Sequence, residues 1–156
     1  MSEGFKLEIV NPEKSFLLKD NVLEVLVPAF EGDMGILKNH ISIISFLKPG
    51  LVKIITSGSS DETYYVEDGI IEFKNNCLSI LTSNIFDTKK VDKSFLKNEL
   101  IEAEKHTLDP EITDQKKYLI DQKIDVLKSL TLNLSIIFFI SFFKFWYISR
   151  LKFTAI

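Results

Sequence analysis

The sequence predicts an N-terminal β-domain, a sandwich or flattened barrel, followed by an α-helical hairpin and an atypical apolar tail. Three observations predict this. Residues 1–86 break into short apolar runs with turn signals between them, the spacing expected of a sandwich. Residues 87–130 change to a helical period. From 131 to 156 charge nearly disappears and aromatic residues gather. The 156 residues, 46% of them hydrophobic, suffice for one ordinary domain, or a small domain plus an appendage.

The strands follow in order. Phe5, Leu7 and Ile9 alternate with Lys6 and Glu8, placing the apolar residues on one face. Val22 to Val27 is β-branched and aliphatic, and Pro28 stops it. Leu51–Thr56 follows Pro49-Gly50, and Thr63–Val66, Ile70–Phe73 and Cys77–Thr82 complete the set. Asn75-Asn76 has the length and left-handed tolerance of a two-residue hairpin turn, and Gly58-Ser59-Ser60-Asp61 is a second turn. Cys77, in the run Cys77–Leu81, reads as a small buried hydrophobe. As the single cysteine it excludes an intramolecular disulfide framework and any multi-cysteine metal site.

In the helical region Leu96, Leu100 and Ala103 fall at i, i+4 and i+7 behind Asp92, a suitable N-cap. Asp109-Pro110-Glu111 reads as the start of a second helix, because Asp caps, Pro is tolerated at the first position and Glu favours the positive end. Ile120, Ile124 and Leu127 give that helix its stripe, so the pair reads as an αα-hairpin. No Asp or Glu follows Asp125. Ser129–Ser149 reaches the ~20 residues of a membrane span, with Lys144 interrupting it. Thr131, Asn133 and Ser135 alternate with apolar residues in a strand-like way. Three readings of 131–156 stay open: a membrane-inserted or interfacial segment, a segment packed on the protein, and one that is not a selected structural element.

Charge narrows the function classes. With 19 basic and 22 acidic residues the net charge is −3, which gives no global electrostatic case for nucleic acid. Met1–Lys6 lacks the basic-then-apolar pattern of a secretory signal and the Arg-rich pattern of a transit peptide, so the chain is expected to work where it is made.

The most distinctive stretch is Pro28–His40, continuing to Leu47-Lys48-Pro49-Gly50. Glu31, Gly32, Asp33, Met34 and Gly35 read as a tight, exposed acidic loop held between strands. Catalysis has no support there. His40 has no Ser or Cys nucleophile in a recognisable arrangement, and His106 lies on a predicted helix. Glu31, Asp33 and His40 supply too few ligands for a convincing metal site. No G-x-x-x-x-G-K-[ST] phosphate loop occurs, so no cofactor is expected.

Pro28, Glu31-Gly32, Gly35-Ile36, His40, Leu47, Pro49-Gly50, Val66 and Gly69 together resemble the epsilon subunit of rotary ATP synthases, over residues 5 to about 130. The resemblance implies a two-sheet β-sandwich followed by a hairpin that lies on the sandwich or extends along the central stalk. It implies a noncatalytic rotor subunit of a proton-translocating ATP synthase that joins the gamma subunit to the c ring. Glu31, Gly32, Asp33, Met34, Gly35 and His40 match the family's c-ring contact loop. Two departures stand out: Lys38-Asn39 replaces a frequent Pro-Gly, and Asp68 replaces a glycine in Tyr65–Glu72, which resembles a strand with a mid-strand glycine.

In the family the hairpin can restrain ATP hydrolysis by reaching the alpha and beta catalytic subunits with basic residues, and some members bind ATP there. The matching residues are Asp121, Lys116, Lys117, Lys123 and Lys128, with lysines where the ATP motif has arginines. Lysine does not reproduce arginine's bidentate fork, which weakens the case for ATP binding. A solvated outer helix face is the alternative for these lysines. The implied location is peripheral, on the cytoplasmic face of a bacterial inner membrane or the stromal side of a plastid thylakoid. Two other classes are weighed: a free-standing β-sandwich adaptor or ligand-binding module, and a hydrolase, for which no nucleophile arrangement exists.

Overall fold

In most strands period-two alternation sorts the buried apolar side chains onto one face, and those faces close on one another. The computed structural model describes residues 4–58 and 60–153, with side chains through Asn133. The elements are β1 (Phe5–Asn11), β2 (Lys14–Ala29), β3 (Gly32–Leu37), β4 (Ile43–Leu47), β5 (Gly50–Thr56), β6 (Glu62–Val66), β7 (Gly69–Lys74), β8 (Cys77–Leu81), β9 (Ile85–Asp87), α1 (Lys93–His106) and α2 (Asp114–Phe153).

The strands bond in the order β1-β8-β7-β4-β2-β5-β6-β9, with β3 beside β2 and β1 also paired to β2. The 16-residue β2 joins the two layers: its first part pairs with β1, its second with β3 and β5. Between the layers lie Leu7, Ile9, Val25, Val27, Ile36, Ile54, Ile71, Phe73, Leu78 and Ile80, all essentially inaccessible. This is the expected two-sheet β-sandwich.

A second, smaller cluster joins the sandwich to the helices. Tyr64 and Val66 face the sandwich core, whereas Tyr65 between them faces outward onto Leu96, Leu127 and Leu130. β6 is therefore covered on both sides, which is why Tyr64-Tyr65-Val66 is continuously apolar. The Tyr65 ring stacks on Phe86 at 4.6 Å. The predicted stripes meet here: Leu96 and Ala103 of α1 and Ile124 and Leu127 of α2 are buried, with Leu100 packed alongside. Asp92 occupies the N-cap of α1 but makes no side-chain capping bond.

Several expectations need correction. β2 does not stop at Pro28. It continues to Ala29, with Pro28 opposite Asp33, because the strand's pairing needs no N–H donor from that residue. Tyr65–Glu72 is not one strand. The chain turns at Glu67-Asp68 and passes from the β6 layer to the β7 layer, with Gly69 at φ +152° opening β7. Cys77 is only half-buried, since it opens β8 right after the turn and Leu78 takes the inward place. The predicted turn at Asn75-Asn76 holds, with φ of 52° and 56°. Gly58 also has positive φ (76°), while Ser59 lies outside the described residues.

The second helix starts later than expected. The Glu111 amide donates to Asp109 Oδ1 at 3.0 Å, so Asp109-Pro110-Glu111 forms a turn. Helix α2 begins at Asp114, with the Lys117 amide donating to the Thr113 carbonyl at 2.9 Å. The strand-like alternation from Thr131 is overridden, because the backbone continues as helix to Phe153. The three readings of 131–156 depend mostly on side chains outside the described residues. Among the described residues no helix is long and apolar enough to cross a membrane.

Glu62 links β6 to the first part of β2. Its carboxylate accepts from Lys19 of β2 and, at 2.8 Å, from the Tyr64 hydroxyl. The Lys19 hydrogen bond is the main cause holding Glu62 below the usual carboxylate range; burial opposes it, and the Tyr64 bond assists. A depressed carboxylate contributes stability above its unfolded pKa and loses it as pH falls through the folded one. The melting-temperature advantage over Glu62→Gln is therefore expected to be full at pH 7 and to vanish in acid. Thermal scans of both proteins down to pH 3 check this.

Candidate functional site

The acidic segment is a β-hairpin rather than a loop. Ala29 pairs with Gly32, so Phe30-Glu31 is a two-residue turn and the glycines lie in β3. Gly32 is needed for its φ of 136° and has open space around it. Gly35 differs: a Cβ there would lie 3.2 Å from Glu24 Oε1. Glu31 and Asp33 are exposed, while Met34 is half-buried against the core.

His40 belongs elsewhere. It follows the far end of β3, separated from Glu31 by the six residues of that strand, about 20 Å of chain. Its Nδ1 donates to the Ile41 carbonyl at 2.9 Å, and its ring meets Phe73 edge-on at 5.8 Å. Asn39, in the place where the resemblance implies glycine, takes φ +62°, a conformation Asn tolerates. Its amide donates to Asn76 Oδ1 at 2.7 Å. The structure thus brings together Glu31, Gly32, Asp33, Met34 and Gly35 and leaves His40 apart.

Backbone bonds fix the acidic turn against β4. The Phe30 amide donates to the Phe46 carbonyl at 2.9 Å and the Lys48 amide to the Pro28 carbonyl at 3.0 Å. Beside this turn lies a feature the sequence reading missed. Phe46, Ile70 and Leu81 sit opposite one another across β4, β7 and β8. They are 63%, 41% and 56% exposed, and Ile44 on the same face of β4 is 68% exposed. With Pro12 and Gly69 they border a shallow depression of about 500 Å³. The available signal was Ile43-Ile44-Ser45-Phe46-Leu47, a strand apolar on both faces in a sheet with only one internal side. Contiguous exposed apolar surface of this kind marks an interaction site.

The helical residues divide as well. Lys116, Lys117 and Asp121 are exposed. Lys128 reaches Glu104 at 3.3 Å. Lys123 is only 15% exposed and lies 2.7 Å from Glu67 and 3.1 Å from Glu99. Burial alone would lower its pKa, but bonding to Glu67 and then Glu99 outweighs this and raises it above the ordinary lysine value. Among the described residues no three His, Cys, Asp or Glu side chains converge as a metal site.

An acidic turn next to an apolar sheet face, on a sandwich that carries a helical hairpin, suits assembly. The comparisons give this class its identity. Residues 4–88 match the family described as "ATP synthase, Delta/Epsilon chain, beta-sandwich domain". The chain is 66% identical to the ATP synthase epsilon chain of Pelagibacter ubique over 130 residues, covering 83% of this chain and 99% of the relative. It is 34% identical to that of Dichelobacter nodosus over 111 residues, covering 71% and 77%. A chain in the Euglena gracilis mitochondrial ATP synthase (OSCP/F1/c-ring) shares the fold with TM-score 0.65 at 18% identity, covering 86% of this chain and 82% of that one. The chain belongs to the ATP synthase epsilon chain family, and so to the subunits of a membrane-associated complex.

Proposed function

We propose that the chain is a noncatalytic central-stalk subunit that fixes the gamma subunit to the c ring at the cytoplasmic face of a bacterial inner membrane. The observation that carries this is the apolar row Ile44, Phe46, Ile70 and Leu81 adjoining the acidic Phe30-Glu31 turn. A rotor link needs two contacts of different character. The apolar row supplies desolvated area for a stable protein–protein contact with gamma. Glu31 and Asp33, exposed on a short hairpin, supply charge that sets register against polar or basic groups of the ring. The exposed Lys116, Lys117 and Asp121 suit a hairpin that meets the catalytic subunits. Lys128 is already paired within the hairpin, with Glu104, and Lys123 with Glu99 of the hairpin and Glu67 of the sandwich.

Gel filtration of the full chain with its cognate gamma subunit tests the assignment. A one-to-one complex is expected. Glu31→Lys with Asp33→Lys should leave that complex intact and reduce its capture by membranes that carry the c ring. Failure of two folded proteins to associate would sink the rotor reading and favour a free-standing adaptor.

A further inference from the structure

We propose that the segment after Leu130 binds directly to an anionic lipid bilayer, giving the chain a membrane contact of its own. This contact does not depend on gamma being a partner. Helix α1 has 14 residues and α2 has 40, so α1 can accompany only part of α2. The buried positions of α2 are Ile124, Leu127 and Leu130. Two residues further, Leu132 is 63% exposed, and Asn133 is exposed as well. Among the described side chains the seat on the sandwich therefore ends at Leu130, while the backbone goes on as helix to Phe153. The match to the Pelagibacter ubique relative takes in 130 of the 156 residues and 99% of that relative, so part of this chain has no counterpart there. The resemblance itself runs to about residue 130 and gives the rest no role.

Residues 131–143 carry no charge and make about 20 Å of helix, enough to enter one leaflet of a hydrocarbon core ~30 Å thick. Ile136–Ile140 is wholly apolar and goes more than once round the helix, so no face of that turn is polar. A helix apolar on every side belongs in a protein core or in lipid. The residues that follow decide between the two. Trp146 and Tyr147 are the residue types that settle at headgroup level. Lys144, Arg150 and Lys152 are the segment's only charged side chains, and no Asp or Glu occurs after Asp125. The segment is thus positive in a chain whose net charge is −3. That separation fits a negatively charged surface, which attracts each Lys or Arg close to it. The chain also belongs to a membrane-associated complex, so a bilayer is part of its surroundings.

Trp146 is the only tryptophan, so its fluorescence reports on this segment alone. The full chain is mixed with lipid-only vesicles of phosphatidylglycerol and phosphatidylcholine. Neither the c ring nor gamma is present, so the outcome is separate from that of the rotor assignment. Trp146 emission is expected to move to shorter wavelength and to be quenched by brominated acyl chains. Pure phosphatidylcholine vesicles should bind about tenfold more weakly. Lys144→Glu with Lys152→Glu should lose about tenfold or more on the anionic vesicles, and Phe138→Ser with Phe139→Ser a similar factor on both kinds. Lys116→Glu with Lys117→Glu, exposed cations near the start of the same helix, should bind as the unmodified chain does. Vesicles without effect on Trp146 would overturn the proposal. So would equal binding to neutral and anionic vesicles. Emission already at short wavelength without lipid, and untouched by brominated chains, would overturn it too, by marking a segment packed on protein.

Discussion

Gly69→Ala is expected to destabilise the sandwich by about 3 kcal/mol or more, lowering its melting temperature by roughly 10 °C. Two independent penalties act at this position. The backbone has φ +152°, a region L-residues rarely adopt. A Cβ built there would also lie 2.3 Å from the Leu81 carbonyl oxygen and 3.2 Å from Thr82 Cα. Both are backbone atoms, so no side-chain rotation relieves the contact. Gly69 pairs with Leu47 of β4, and Ile70 beside it pairs with Leu81 of β8. A shift there would disturb the strands that carry the exposed apolar row. Gly32→Ala is the informative contrast: its φ is also positive, but nothing lies within 4 Å, so only the conformational penalty remains. Thermal denaturation of both variants checks the ranking, and an equal loss would mean that the Leu81 contact is absorbed locally.

Gly69 also shows where sequence reasoning succeeds and where it fails. The positions that local chemistry decides were legible. Asn75-Asn76 turned left-handed, and the alternation in Phe5–Ile9 and the Leu96 and Leu127 stripes chose the buried faces. Positions decided by distant partners were not. Pro28 stays in its strand because its neighbours on β3 and β4 accept that geometry. The glycine pair at 32 and 35 looks like a loop locally, yet pairing with Leu26 and Ala29 makes it a strand. The resemblance groups the acidic turn with His40 because the family motif spans both, and the intervening strand carries them apart. The apolar row could not be read at all, since Phe46, Ile70 and Leu81 come from three strands whose order no local pattern reveals.

That row carries the second large effect. Under the proposed gamma contact, Phe46→Ser combined with Ile70→Thr is expected to weaken association with gamma about 100-fold, roughly 2.7 kcal/mol, while leaving the fold intact. Phe46 is 63% and Ile70 41% exposed in the free chain, so their replacement costs the fold far less than a core substitution would. The loss falls on the complex, where an aromatic anchor and its cross-strand neighbour would be desolvated together. Serine and threonine suit an exposed strand and put no like charges opposite each other, so the pairing of β4 with β7 should survive. Ile101→Thr, on α1 and as exposed as Ile70, is the control and should bind gamma normally. Titration calorimetry of the three proteins against gamma separates the possibilities. Loss confined to the double variant assigns the contact to the β4-β7-β8 face. Normal binding by the double variant would move the contact off that face and leave the exposed row without a role in the stalk.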